Sequence, residues 1–295
     1  LPDNVVQVLY IDSRGELWVG FESGGLAHWR GEELGCEVYQ QNPSNPKGLQ
    51  SNSVYSLAET RDGSFWVGTF GAGLARFDRA SGQFTHFREE PGNLKSISHN
   101  SVTMIMEGRD GVLWLGTQGG GLNRVTRNGD GTLSFSAISK HDGLGADAIG
   151  TLVEDDSGLL WIGTTVGVNA YNPKTGDVRS FSASDGMDRS GYFIGSVARG
   201  NDGSIYFGGL RGVLAFHPQH LPRRGHLPQV VYTDLRLDNA AVKLRRVDPQ
   251  SPLERALHAV GESGSISART LIPGVRRRSM FVPMRPSRAG RNVMA

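Results

Sequence analysis

The chain has 295 residues, 38% apolar and 20% charged, which is enough to bury a core and allows one or two domains. No stretch approaches the roughly 18 apolar residues of a membrane-spanning helix, and a single cysteine, Cys36, excludes an internal disulfide framework or thiolate metal cluster. The net charge of +2 is uneven: Ser263 to Ala295 holds seven arginines and no acid, so residues 1–262 sit near −5, which argues against a nucleic-acid surface there.

The chain enters at Leu1-Pro2-Asp3-Asn4-Val5 without an initiator Met or a leader, which reads as a fragment cut between two structural units. A short phrase then recurs five times: GELWVG (Gly15 to Gly20), GSFWVG (Gly63 to Gly68), GVLWLG (Gly111 to Gly116), GLLWIG (Gly158 to Gly163) and GSIYFG (Gly203 to Gly208). Its aromatic anchors, Trp18, Trp66, Trp114, Trp161 and Tyr206, stand 48, 48, 47 and 45 residues apart. A period in the forties, with Gly-bounded apolar strands and no helix-period segment, is the mark of a repeat array built from four-stranded units.

The second copy shows the grammar. Ser53 to Glu59 alternates small or polar with apolar residues and reads as a first strand. Arg61-Asp62-Gly63 is a tight turn, Phe65 to Thr69 the second strand, and Gly71-Ala72-Gly73 the next turn. Leu74 to Asp78 makes the third strand and Gln83 to Arg88 the fourth, before a polar loop from Pro91 to Asn100. Every copy keeps a Gly three residues before its anchor and another two residues after it. Such units around an axis make an all-β fold, a β-propeller over residues 1–222, with blades starting near 1, 49, 95, 143 and 187. The anchors are expected to pack between neighbouring blades. The fifth unit has no clear fourth strand, because the proline-rich run from His217 to Pro228 cannot hold a ladder. The five repeats are therefore expected to be part of a larger propeller. A truncated β-sandwich segment is expected over 223–262, and an Arg-rich unstructured tail over 263–295; its 26 Arg against 5 Lys in the whole chain suggest out-of-frame translation.

No residue set announces chemistry. Turn aspartates (Asp62, Asp110, Asp202, with Asp12 and Asp156 nearby) occur about once per blade, whereas Ca²⁺ needs six to eight converging oxygens; turn formation is the better reading. Asn128-Gly129-Asp130-Gly131 lacks the bidentate Glu of an EF-hand and reads as a strand connection. Gly71-x-Gly73 and Gly119-Gly120-Gly121 precede strands, so they are not phosphate loops. His217, His220 and His226 have no Cys or carboxylate at ligand spacing. No catalytic, cofactor-binding or metal residue is assigned, no cofactor is expected, and the ligand-binding residues are not identifiable from the sequence.

The phrase V-x-x-I-x-x-D-x-x-G-x-L-W-V-G-T-x-x-G-G-L resembles the two-component regulator propeller repeat, over Val5 to Leu26, Val54 to Leu74, Val102 to Leu122, Ile149 to Val168 and, more weakly, Ile194 to Val213. GSIYFGG followed by Phe216-His217-Pro218 resembles the last repeat of such propellers. Leu227 to Leu244 is similar to the opening of the Tyr-rich, immunoglobulin-like sandwich that follows them, although no Tyr occurs after Tyr232. The resemblance implies the extracytoplasmic sensing region of a membrane-anchored signalling protein, with a histidine kinase, hybrid kinase or diguanylate cyclase as output.

On this reading the chain itself is not an enzyme. The polar loops from Gln41 to Ser53, Glu89 to Ser101, Lys140 to Ala148 and Ala183 to Gly191 are expected to emerge on one face near the axis and form the recognition surface. The expected partner is an unknown small molecule, with a glycan fragment what the resemblance suggests; dimerisation is expected through the sandwich region, no nucleic acid, and membrane contact only through missing segments. A propeller hydrolase or lyase acting on glycans and a protein-interaction scaffold are the alternatives.

Overall fold

In a computed structural model the described residues are 2–32, 35–181, 185–187 and 190–221, together with four strands beyond them. The chain divides into two compact units, Leu1–Pro222 and Arg223–Ala295. The first holds five antiparallel sheets, each from consecutive strands. Blade 1 comprises β1 (Val6–Ile11), β2 (Leu17–Phe21), β3 (Leu26–Trp29) and β4 (Cys36–Tyr39). Blade 2 comprises β5 (Val54–Glu59), β6 (Phe65–Thr69), β7 (Leu74–Asp78) and β8 (Gln83–Phe87). Blade 3 follows with β9 (Val102–Glu107), β10 (Leu113–Thr117), β11 (Leu122–Arg127) and β12 (Leu133–Ile138). Blade 4 has β13 (Ile149–Glu154), β14 (Leu160–Thr164), β15 (Gly167–Tyr171) and β16 (Val178–Ser180). Blade 5 has three strands, β17 (Tyr192–Arg199), β18 (Ile205–Gly209) and β19 (Gly212–Phe216). The expected all-β propeller is what the chain forms, with only two single-turn 3₁₀ segments among these residues of the first unit.

The two repeating glycines have different causes. Gly15, Gly63, Gly111, Gly158 and Gly203 all have φ near +80°, the left-handed region that a tight turn between first and second strands requires. Those after the anchor have ordinary φ but no room. A Cβ on Gly20 would lie 2.9 Å from Val54 O of the next blade, and one on Gly68 would lie 3.0 Å from Val102 O. The first strands of successive blades therefore press against the glycine of the preceding second strand. Ser56 Oγ donates to Val102 O across one such junction, and Thr103 Oγ1 donates to Ile149 O across the next.

Hydrophobic burial lies between the sheets, as the anchors predicted. Trp18 packs with Leu57, Phe65, Val67 and Phe77 of blade 2, and Trp66 with Ile105, Leu113, Leu115 and Phe135 of blade 3. Trp114 packs with Leu152, Leu160 and Ile162 of blade 4, and Trp161 with Ile205 and Phe207 of blade 5. The four Trp anchors are 1–3% exposed, each burial contributing on the order of 4–6 kcal/mol as an upper bound. Tyr206, the fifth anchor, is 38% exposed, because no further blade covers it among the described residues. At the opposite end Leu9 is 64% exposed, while its counterparts Leu57, Ile105 and Leu152 are 2–7% exposed.

In the second unit β20 (Val231–Leu237), β21 (Ala240–Val242), β22 (Ile266–Leu271) and β23 (Arg278–Phe281) form one antiparallel sheet, ordered β21-β20-β22-β23. Two of these strands fall within 263–295, so that part of the expected tail is paired strand and the expectation is corrected there. Ile-Ser-Ala-Arg-Thr-Leu at Ile266–Leu271 carries the alternation of a strand. The rest of that segment lies outside the described residues.

Candidate functional site

Each first strand carries a bulge or irregularity near its start. In blades 1 to 4 it falls at one equivalent residue: Gln7, Tyr55, Thr103 and Gly150. A bulge lifts its residue out of the ladder and re-aims the side chain; Gln7, Tyr55 and the bare backbone of Gly150 face a common cavity, whereas the Thr103 hydroxyl turns into the seam with blade 4. The turn between second and third strands supplies a second ring. The backbone N–H groups of Glu22, Phe70, Gln118, Thr165 and Leu210 donate to the carbonyls of Val5, Ser53, Ser101, Ala148 and Gly191, at 2.9–3.3 Å. One hydrogen bond, repeated in all five blades, thus seats five different side chains on one rim.

Between the two rings lies a cavity of about 320 Å³, with Gln7, Tyr55, Gln118, Gly150, Tyr192 and Phe193 among its lining. The wall is aromatic on two sides and amide-bearing on others. Tyr55 and Phe70 rings meet at 5.4 Å, and Phe70 and Phe193 stay about half exposed at the mouth. Burial pushes the Tyr55 phenol above its ordinary pKa, with the Glu22 carboxylate adding to the effect. Tyr55 is therefore a neutral donor and acceptor, and among the lining residues named here none is charged. Such a lining offers stacking faces and hydrogen bonds to a neutral polar ligand.

The four loops expected to form the recognition surface contribute little of this lining. Among them only Ala148 of Lys140 to Ala148 reaches the cavity. The loops instead run outward: Lys47 O and Lys95 O accept from Phe84 N and Phe135 N on the outermost strands of blades 2 and 3. The first three are pinned at their base. Asn52, Asn100 and Asp147 accept through Oδ1 from Gln41 N, Glu89 N and Lys140 N, while their carbonyls accept from Gly25, Gly73 and Gly121 of the preceding blade. Sequence reasoning missed the bulge and rim residues. Aligned on their anchors, the five copies differ at both positions, eleven before the anchor (Gln7, Tyr55, Thr103, Gly150, Gly195) and four after it (Glu22, Phe70, Gln118, Thr165, Leu210), but neighbouring positions vary as well and hide the signal.

On the opposite face the aspartates shape turns, as expected. Asp12 Oδ1 accepts from Arg14 N and Glu16 N, each at 2.9 Å, and Oδ2 accepts from Trp18 Nε1 at 2.9 Å. In blade 4 this role falls to Asp155, which bonds Trp161 Nε1 at 2.8 Å. The neighbouring Asp156 instead pairs with Arg109 and Arg199. Asp62, Asp110 and Asp202 cap their turns from a position two residues later. Asp12, Glu16 and His28 bring three ligand atoms within 4.8 Å of one another, but Arg79 from blade 2 already places its guanidinium on the Asp12 carboxylate. The cluster is an inter-blade ion pair. His217 stacks on His220 and reaches Asp202 O at 3.0 Å; His226 lies outside the described residues. Asn128 to Gly131 is a hydrogen-bonded turn between β11 and β12.

The sequence pattern described as two component regulator propeller matches residues 1–23, 48–71, 96–119 and 143–165. A 105-residue stretch, 36% of this chain, is 30% identical to histidine kinase P4 of Formosa agariphila, of which it spans 8%. The fold is similar to the extracellular domain of a hybrid two component system from B. thetaiotaomicron, with 20% identity and a TM-score of 0.67, covering 95% of this chain and 39% of that one. It is also similar to virginiamycin B lyase from Staphylococcus aureus, solved with quinupristin: 18% identity, TM-score 0.53, covering 75% and 73% of the two chains.

Proposed function

The chain is built from two-component regulator propeller repeats, and on that premise we propose that it is the extracytoplasmic, ligand-binding part of a membrane-anchored sensor of the two-component type. The observation that carries this reading is the axial mouth, where a backbone repeated five times presents side chains that do not repeat. A structural array needs only the repeated positions. Unlike side chains gathered on one rim by a shared backbone suit a recognition surface on a rigid scaffold.

The uncharged, aromatic and amide-lined cavity suits a neutral polar molecule, with oligosaccharide fragments the first class to test. Binding at the mouth bridges several blades and so favours one arrangement of them, which a longer protein could read as signal. The uncovered faces at Leu9 and Tyr206 support a larger propeller in that protein, and dimerisation belongs to the region after residue 222. Output by a kinase or cyclase is part of the same proposal.

A screen of oligosaccharides by thermal unfolding tests the reading. A true ligand raises the midpoint by mass action, and Tyr55→Ala or Phe193→Ala removes the rise while Arg61→Ala on the opposite face keeps it. No rise with any member of the panel, or a rise that survives both mouth substitutions, overturns the axial site. The lyase-like fold keeps one rival: turnover of a glycan, lost on changing a single carboxylate, would make the chain an enzyme.

A further inference from the structure

Each of blades 1 to 4 closes on a fourth strand, and one rule governs it. The runs Cys36–Tyr39, Phe84–Phe87, Phe135–Ile138 and Val178–Phe181 are apolar at their first and fourth residues. The first stands opposite the later part of the third strand, as Phe84 does opposite Phe77, and the fourth opposite its start, as Phe87 does opposite Leu74. Blades 1 and 3 repeat both pairings. Three residues apart on a strand, the two side chains point to opposite faces of the sheet. Phe84 therefore joins the core between blades 1 and 2, and Phe87 the core between blades 2 and 3.

Blade 5 has no such strand among the described residues, where β19 pairs with β18 alone. Its outer edge therefore presents unpaired backbone N–H and C=O groups. The devices that blunt an edge are missing from it. Gly212–Phe216 holds no charge and no proline, whereas the outer strands of blades 1, 2 and 4 carry Glu37, His86 and Arg179. Phe216 shows the lost cover. Its ring centroid lies 4.8 Å from that of Trp161 in blade 4, yet it stays only half-buried. Phe77, Val125 and Tyr171, at the same place in blades with a fourth strand, are 5–8% exposed.

The edge carries the pattern of its own cover. Val213-Leu214-Ala215-Phe216 has the apolar first and fourth residues of a fourth strand. Laid antiparallel on its own copy, about a two-fold axis between Leu214 and Ala215, it sets each Phe216 opposite a Val213. That is the register of Phe77 with Phe84 and of Leu74 with Phe87 in blade 2. We propose that β19 pairs with β19 of a second copy of this chain, so that each blade 5 receives its fourth strand from the other. The contact is self-complementary and closes at two copies. It is independent of the axial mouth and separate from the dimerisation assigned to the region after residue 222.

Sedimentation equilibrium over a concentration series tests this, with hydrogen exchange of the β19 amides measured at both ends of the series. A reversible monomer–dimer equilibrium is expected, with the β19 amides exchanging more slowly in the dimer. Val213→Lys and Ala215→Lys, each at an exposed position, put a charge into the strand pair. Each should abolish both the dimer and the protection while leaving the unfolding midpoint of the monomer in place. A chain that stays monomeric at every concentration overturns the proposal. So does a dimer that survives both substitutions, which would belong to the region after residue 222. Slow exchange of β19 in the monomer overturns it too, because another part of the same chain would then cover the edge.

Discussion

A single carboxylate, Asp12, shows how one residue holds two blades. Its side chain has no exposed surface, yet it ties its own turn, its own anchor and Arg79 of blade 2. Burial alone would raise its pKa; the N–H donors of Trp18 and Glu16 and the Arg79 guanidinium outweigh it and hold it down at about 2. A folded-state pKa below the unfolded value of about 3.9 gives stability that is full above about pH 4 and is lost as pH falls through about 2. The shift corresponds to about 2.5 kcal/mol at neutral pH. Asp12→Asn should therefore lower stability at pH 7 by at least about that much, and urea titrations of the two proteins should converge below about pH 2. The anchors make a second contrast. Trp66→Ala should cost about 3–5 kcal/mol as a large-to-small change in a packed core. Tyr206→Ala, at the uncovered end, should cost less than about 1 kcal/mol, and the two midpoints in denaturant check this.

Between elements, the seams repeat one polar contact and then reverse it. The turn N–H groups of Ser13, Arg61 and Arg109 donate to Glu59, Glu107 and Glu154 at the end of the next first strand, at 2.7–2.9 Å. At the fourth seam the acid stands on the turn, as Asp156, and the base on the strand, as Arg199. Compared with the Arg61–Glu107 pair of the second seam, acid and base have exchanged sides. Arg199→Glu should lower the unfolding midpoint only slightly by setting two acids together, because Asp156 is exposed. Because Asp156 also pairs with Arg109, the coupling is read by a double-mutant cycle of Asp156→Asn and Arg199→Gln. Additivity of the two single effects would show that the seam does not depend on this pair.

For the whole molecule, a blade has two unlike faces, one offering the anchor and one receiving it. Among the described residues four seams are made, leaving a receiving face on blade 1 and an anchor face on blade 5. Leu152→Asp, within a seam, should cost more than about 3 kcal/mol because it buries an unpaired charge. Leu9→Asp, at the same position of blade 1, should stay within about 0.5 kcal/mol, measured by thermal unfolding of each. The first and fifth blades also differ in the residue that completes a seam: Ile11, 70% exposed, stands where Glu59, Glu107 and Glu154 stand.

The blades are legible in the order of the amino acids alone. Glycines that need positive φ or close approach, anchors that need burial, and strands that alternate are local requirements, and each leaves a residue type at a fixed place in the repeat. The same grammar told of a fifth blade short of one strand, because prolines forbid a ladder. It did not show the paired strands at Ile266–Leu271 and Arg278–Phe281, where arginine-rich composition masked a short alternation. Packing in three dimensions made the candidate site, since the axial cavity gathers Gln7, Tyr55, Gln118 and Phe193 from four blades. Residues so far apart in sequence meet because each is placed by a shared backbone, and that backbone leaves them free to vary; the freedom that lets a site take up a ligand is also what removes its signature from one sequence.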